Sequence, residues 1–205
     1  MSEISEKTVP SRRNRQYEKR LDSILKAAAR VMAVDGFEGA SVRKVAAEAK
    51  IGLSGIYYYF KSKDEMLFAL QEDTFSSLAE SLEEKLARLE SPEKKLRAVV
   101  ENHLQFFSRQ MEDLKVCSYE IESLSGRYYD EILKIRRRYF GLVREVVAEN
   151  IPTSSAIDPN LAALFLFGSL NWMFMWYDVE RNRDIRELSS QLIKIYLDGI
   201  KATQG

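Results

Sequence analysis

Residues 41–67, SVRKVAAEAKIGLSGIYYYFKSKDEML, decide the fold. Val42, Val45, Ala46 and Ala49 recur at intervals of three and four, the spacing that lines one face of a short helix. Beyond a break around Lys50 to Gly52, Ile56, Tyr59 and Phe60 share one helical face, and Ser54, Tyr57, Tyr58 and Lys61 share the opposite one. Ser62, with Glu65 three positions on, reads as a capping box that opens a long helix. Two short helices around a tight turn, followed at once by a long third, make a helix-turn-helix.

The outward face of its second helix carries hydroxyls, two phenols and an ammonium. Such groups donate to phosphate oxygens, and the rings can lie against sugars and thymine methyls, so this face suits a DNA groove. The alternative is a tyrosine-rich surface helix without a ligand. The free N–H groups at the start of the next helix, together with Lys63, make a phosphate anchor.

Charge is divided to match. The chain of 205 residues is neutral overall, yet residues 1–63 hold thirteen Lys and Arg against seven Asp and Glu, and the remainder is correspondingly acidic. A basic N-terminal third supplies the attraction that DNA binding needs. With 45% hydrophobic residues the chain can bury a large core. The one cysteine, Cys117, rules out an intrachain disulfide and a thiolate cluster, and the one histidine, His103, leaves little for a metal site, so neither metal nor cofactor is expected. The polar start SEISEKTVPSRRNRQYEKR lacks the apolar core of a signal peptide, and the expected location is the cytoplasm. No glycine-rich phosphate loop, nucleophile elbow or metal spacing occurs, so no catalytic residue is assigned and an enzyme is not expected.

Elsewhere the pattern is helical throughout. Residues 1–15 read as a basic flexible arm with Lys7, Arg12, Arg13 and Arg15, free to settle on phosphates or remain solvated. A first helix is predicted over 16–34, ended by Gly36 in a left-handed cap. The helix from Ser62 is predicted to reach Leu89; further helices follow over 91–109, 114–124 and 128–149, with Ser91 and Asp158 as caps. The uncharged run PNLAALFLFGSLNWMFMWY, 159–177, would span about 28 Å as one helix, close to a bilayer core, but its internal Asn and Ser and its acidic flanks favour burial in protein, and no membrane partner is expected. Asp184 and Glu187 open a last helix bearing Leu188, Leu192, Ile195, Tyr196 and Ile200. The expected architecture is all-α: the arm, a three-helix DNA-binding domain at 16–61, and a ligand-binding and dimerisation bundle at 62–205 entered through the long helix.

SVRKVAAEA and IYYYFKSKDEML, inside the stretch from Leu21 to Leu70, resemble the TetR/AcrR family of bacterial transcriptional regulators. That resemblance implies homodimeric, all-helical repressors in which a ligand in the C-terminal domain moves two reading heads out of register with a palindromic operator. It places Ser41, Arg43, Ser54, Gly55, Tyr57, Tyr58 and Lys63 at DNA, beside Lys61 from the spacing above. The chain departs from the family pattern at the turn: Lys50 stands where glycine is usual, Gly52 where a capping hydroxyl is common, and Gly55 removes a hydroxyl contact. A lysine at positive φ costs roughly 1–2 kcal/mol, so a shifted turn with Gly52 absorbing the strain is predicted. More weakly, LNWMFMWYDVERNRDIRELSSQLIKIYLDGI is similar to the subgroup whose inducers are fatty-acyl or other CoA thioesters. A protein that binds acyl thioesters without regulating, or an enzyme with a vestigial helix-turn-helix, is the alternative.

Trp172 through Tyr177 point around the whole helical circumference, more than one bundle core can bury, so part of this surface is expected to pair with a second copy through the last two helices. Such a dimer would hold two reading helices about 34–36 Å apart. Candidate lining residues for a pocket taking a small hydrophobic effector, an acyl-CoA among the candidates, are His103, Phe106, Phe107, Tyr119, Glu120, Tyr139, Trp172 and Trp176; ordinary core packing is the competing reading. Arg136, Arg137 and Arg138 are either an anion-binding group or a solvated helix face.

Overall fold

The computed structural model describes residues 12–178 and 184–201; the arm up to residue 11, with Lys7, and the stretch 179–183 lie outside them. Among the described residues every regular element is helical: α1 (Arg12–Gly39), α2 (Val42–Glu48), α3 (Leu53–Tyr59), α4 (Lys63–Leu86), α5 (Pro92–Phe107), α6 (Met111–Tyr119), α7 (Gly126–Asn150), α8 (Pro159–Asn171), a 3₁₀ turn (Trp172–Met175) and α9 (Ile185–Lys201).

Helix α1 starts four residues ahead of the predicted Gln16 and is broken at Gly36, whose φ of 71° and ψ of 168° belong to a region open essentially to glycine alone. This is not the expected left-handed cap. The chain bends there and closes one further helical turn to Gly39, bonded from Ala40 N to Gly36 O at 3.0 Å.

The turn between α2 and α3 also differs from expectation. Lys50 itself takes φ 54°, while Gly52 sits at an ordinary φ of −67° as the side-chain-free cap of α3. Lys50 N donates to Ala47 O at 3.1 Å and Ile51 N to Ala46 O at 3.0 Å. That pair of bonds closes the end of α2 in a Schellman motif, which requires the residue between to be left-handed whatever its side chain. Satisfying two terminal carbonyls outweighs the strain on one lysine.

Ser62 caps α4, its Oγ accepting from Glu65 N at 3.0 Å, but the Glu65 carboxylate reaches back to Lys61 N, one residue before the cap. Helix α4 runs about 36 Å and stops at Leu86, three residues short of the prediction. Ser91 makes no side-chain cap bond; α5 is started by Pro92 alone. Asp158 does cap α8, accepting from Asn160 N at 2.8 Å and Leu161 N at 2.9 Å. The apolar run is not one helix: α8 ends at Asn171, and a tighter 3₁₀ turn drops Met173 into the core while Trp172, Met175 and Trp176 stay outside. No described helix is long and apolar enough to cross a membrane.

Two apolar cores result, and they change over along α4. Met66, Leu67 and Leu70 join Ile24, Met32, Val45, Ile56 and Phe60 beneath the helix-turn-helix, with Val116, Leu124 and Ile132 reaching in from the bundle. Leu78 and Leu82 join Leu96, Leu104, Phe107, Tyr139, Val143, Leu166 and Ile193 in the bundle. One rigid helix thus belongs to both cores, and α6 packs on α1, α4 and α5.

Candidate nucleic-acid interface and internal cavity

Burying Ile56 and Phe60 forces the other side of α3 outward. Tyr57 is 53% and Tyr58 71% exposed, and Ser54 and Lys61 are exposed with them. Tyr58 leans edge-on against Tyr59 (5.0 Å between ring centroids), and Tyr59 packs on Tyr17 at 4.9 Å, pinning the start of α1 to the end of α3. Gln16, Tyr17, Lys19, Arg20, Ser23, Tyr58 and Tyr59 line a shallow hollow beside α3. Tyr17 was not singled out from the sequence. It sits in a polar, charged stretch with no apolar period to mark it.

Charges around this face are sorted. Arg30 pairs with Glu48 at 2.6 Å, Lys26 with Asp22 at 2.8 Å and Lys44 with Asp35 at 2.7 Å. Lys19, Arg20, Arg43, Lys50 and Lys61 form no ion pair among the described residues, and of these Lys19 and Arg20 line the hollow with Tyr58. Ser41 Oγ caps α2, accepting from Lys44 N at 3.3 Å. Gly55 is half-buried, and a β-carbon there would meet only the flexible Ile51 side chain at 3.7–4.0 Å. Lys63 is the least free of the predicted set: its ammonium donates to Phe37 O at 2.6 Å and lies 4.1 Å from the centre of the Phe37 ring, leaving two N–H groups for another partner.

Inside the bundle, α4 to α8 surround a cavity of about 320 Å³, at the small end for a small-molecule site. Of the candidate lining residues, His103 and Phe107 from α5 and Tyr139 from α7 line it, with Phe75, Leu114, Cys117, Leu133, Arg136, Arg137, Phe140, Leu164, Phe167 and Asn171. The other predicted lining residues lie outside it. Phe106 packs edge-on against Phe107, one helix position round from the wall. Tyr119 is exposed and meets Phe174 edge-on. Glu120, at the end of α6, is turned to the helix-turn-helix instead, its carboxylate accepting from Phe37 N at 3.0 Å and Ser123 Oγ at 2.7 Å. Trp172 and Trp176 border an external apolar groove with Leu161, Leu164, Phe165 and Gly168.

The cavity's polar groups are few. His103 Nδ1 is 3.2 Å from the Tyr139 hydroxyl, while Nε2 makes no bond of ordinary geometry; burial pushes the imidazole pKa down to about 3 against the opposing effect of the nearby Asn171 side chain, so the ring is neutral. The Cys117 thiol is pushed up to about 12 by burial, and by Asp113 nearby, so it stays protonated and unreactive. The arginine run splits three ways because successive helical residues point about 100° apart. Arg136 turns inward, donating to Cys117 O at 2.9 Å over the Phe75 ring; Arg137 stands exposed at the rim; Arg138 grips Glu83 with two bonds of 2.9 and 2.6 Å on the outside.

Known proteins agree with this organisation. The profile described as "Bacterial regulatory proteins, tetR family" matches residues 24–70, and "Tetracyclin repressor-like, C-terminal domain" matches 89–200. The chain is 24% identical over 181 residues, 86% of its length and 93% of the relative's, to the fatty acid metabolism regulator protein of Bacillus subtilis (strain 168). In fold it resembles a TetR-family transcriptional regulator from Bordetella parapertussis 12822 (TM-score 0.83, 22% identity, covering 89% of this chain and 96% of that one). It also resembles AibR, solved with isovaleryl coenzyme A and operator DNA (TM-score 0.75, 20% identity, 86% and 97%). With both halves of the chain matched in order, it belongs to the TetR family of transcriptional regulators.

Proposed function

We propose that the protein is a homodimeric repressor that grips a palindromic operator with two copies of α3 and lets go when a small apolar effector fills the bundle cavity. The exposed face of α3 carries this reading: its two phenols, with Ser54 and Lys61, project where neither core needs them. Ser54, Tyr57, Tyr58 and Lys61 meet the major groove. Ser41, Arg43, Gly55 and Lys63 meet the backbone beside it, Lys63 while still holding Phe37. Residues 16–61 act as the reading head and 62–205 as the effector and pairing part, working on DNA in the cytoplasm.

Pairing is supported by α8, where Leu161, Leu164, Phe165 and Gly168 form an exposed stripe at helical spacing that Trp172 of the 3₁₀ turn continues, Phe165 being 76% exposed. Ile195 on α9, 73% exposed, extends the apolar surface to the last helix. An acyl-CoA is one candidate effector, supported by the isovaleryl coenzyme A bound to AibR and by the relative named for fatty acid metabolism.

The switch is built from contacts of α6. Cys117 and Ser118 line the cavity, Glu120 at the same helix end holds Phe37 N, and Phe37 O holds Lys63 at the first turn of α4. A ligand that displaces α6 shifts the end of α1 and the start of α4 together and so respaces the heads. Effector and operator then weaken each other by the same factor. Titrating the protein onto a DNA site selected from a random library, over a salt series, tests the reading. Affinity is expected to fall steeply with salt; Lys61→Ala should weaken all sequences alike, and Tyr57→Phe should act by site. If neither change moves DNA affinity, α3 is not the reading helix.

A further inference from the structure

We infer, building on the effector reading above, that the cavity takes an apolar organic carboxylate, its head held between the Arg136 guanidinium and the Nε2 proton of His103. Two observations point to the same cavity.

Arg136 is largely taken out of water, and burial holds its pKa below the usual guanidinium value. Among the described residues it forms no ion pair; its contacts are one bond to Cys117 O and the face of Phe75. Of its five N–H groups one is used. Cations removed from water are ordinarily matched by an acid, and here the wall of the cavity offers none.

His103 supplies the second group. The buried Tyr139 hydroxyl meets the Asn102 side chain and His103 Nδ1, the latter 3.2 Å away; with Asn102 Oδ1 already accepting from Ser81 Oγ and Lys85 Nζ, Nδ1 is the acceptor for its proton. With Nδ1 accepting, a neutral imidazole carries its proton on Nε2, which is buried and beside the Asn171 side chain but makes no hydrogen bond of ordinary geometry with it. Tyr139 and Arg136 are three residues apart on α7 and share a face, and His103 and Arg136 line the same cavity.

An unmatched cation and a buried ring N–H on the wall of one cavity ask for one anionic oxygen group. A carboxylate satisfies both. A thioester or ester carbonyl accepts the histidine proton but leaves the charge uncompensated. The rest of the wall, with Phe75, Phe107, Leu114, Leu133, Phe140 and Phe167, asks for an apolar body, and about 320 Å³ admits one of modest size.

The test is calorimetric titration of the full-length protein with medium-chain and long-chain fatty acids and a phenylalkanoate. The methyl esters, primary alcohols and coenzyme A thioesters of the same skeletons serve as controls. On the wild type at least one acid is expected to bind about tenfold or more tighter than its ester. Arg136→Met should erase that preference, Arg136→Lys should keep part of it, and His103→Phe should weaken the acid several-fold. Retained DNA binding shows that each variant is folded. An ester or thioester that binds wild type as well as the acid, an acid preference that survives Arg136→Met, or a panel in which no acid binds overturns the inference. If a thioester alone releases DNA, the carboxylate assignment falls and the repressor reading stands. If the acid binds through Arg136 yet leaves DNA affinity unchanged, the carboxylate site stands and the effector reading falls.

Discussion

Replacing Lys50 by glycine should make the protein more stable, although it deletes a side chain and adds backbone freedom. Lys50 sits at φ 54° between two hydrogen bonds that close α2, so its β-carbon is held against its own backbone. For a residue with a β-carbon that conformation costs roughly 1–2 kcal/mol, and glycine is relieved of it. Against this, glycine's extra freedom in the unfolded chain costs about 0.4–1 kcal/mol. The side chain is exposed and forms no ion pair among the described residues, so little else is lost. The net is a gain of about 0.5–1 kcal/mol, worth roughly 1–4 °C in Tm for a chain of this length. Thermal and urea unfolding at one fixed protein concentration measure it, because a dimer's midpoint moves with concentration. Lys50→Ala is the control: it removes the same charge but keeps the β-carbon, and should give no gain. If the glycine variant is no more stable than the alanine one, the strain assigned to this turn does not exist.

Other expectations are brief. Asp113 is held up at about 7 by burial first, and by Glu112 and Asp73 next, with Lys26 opposing. The folded protein therefore binds a proton that the unfolded chain gives up from its ordinary value of 3.8, so this group's contribution falls as pH rises from about 4 to about 7. Asp113→Asn should gain on the wild type across that window and hold a constant advantage, on the order of 2–4 kcal/mol, above it, read by urea unfolding at several pH values. His103, neutral in the fold, works in the opposite direction over nearly the same range: its contribution is lost as pH falls below its free value of 6.5 toward 3. Gly55→Ser should fold unchanged, since the new β-carbon meets only Ile51 at ordinary distances, and should alter DNA affinity by adding a hydroxyl to the α3 face; an unstable variant would mean that the helix is packed more tightly there. Phe165→Glu should leave helicity intact and, with α8 pairing two copies as proposed, give a lone protomer in sedimentation where the wild type gives a dimer, with DNA affinity falling together with pairing; a variant that still dimerises would move the interface elsewhere.

What could be read before the structure was local. The faces of α2 and α3 follow from spacing alone, because a buried Ile56 and Phe60 dictate where Tyr57 and Tyr58 go. His103, Phe107 and Tyr139 were readable as inward because they sit in amphipathic helices with a clear period. Trp172 and Trp176 were not. A run apolar on every side has no period, so nothing in it distinguishes the cavity wall from the outer groove, and the 3₁₀ turn rotates those rings away from where a continuing helix would put them. Lys50 was misjudged for a related reason: side-chain preference says that glycine belongs in a left-handed position, but two carbonyls left by α2 decide the matter. Arg136 to Arg138 show the same limit from the other side. Three identical residues in a row look like one feature, yet a helix sends them to a cavity, a rim and an outer ion pair.

Glu120 went to an unexpected place, and that place makes a demanding test of the switch. Its carboxylate satisfies the Phe37 amide just past the break at Gly36, while its own carbonyl accepts from Gln71 Nε2 of α4 at 3.2 Å. One residue at the end of α6 thereby ties together α1, α4 and the helix whose other face lines the cavity. Glu120→Ala removes a charge-assisted bond and strands a half-buried N–H, a loss of roughly 1.5–3 kcal/mol in stability. Stability alone says nothing about coupling. What matters is the ratio of DNA affinities with and without saturating effector, measured for the wild type and for Glu120→Ala. If α6 transmits the signal through this carboxylate, the ratio should shrink toward one while the variant still binds both partners. Glu120→Gln, which keeps an acceptor oxygen but not the charge, should fall between. A variant that loses stability but keeps the full ratio would show that the heads are moved by another path, through α4 and the bundle core it shares with α5 and α7.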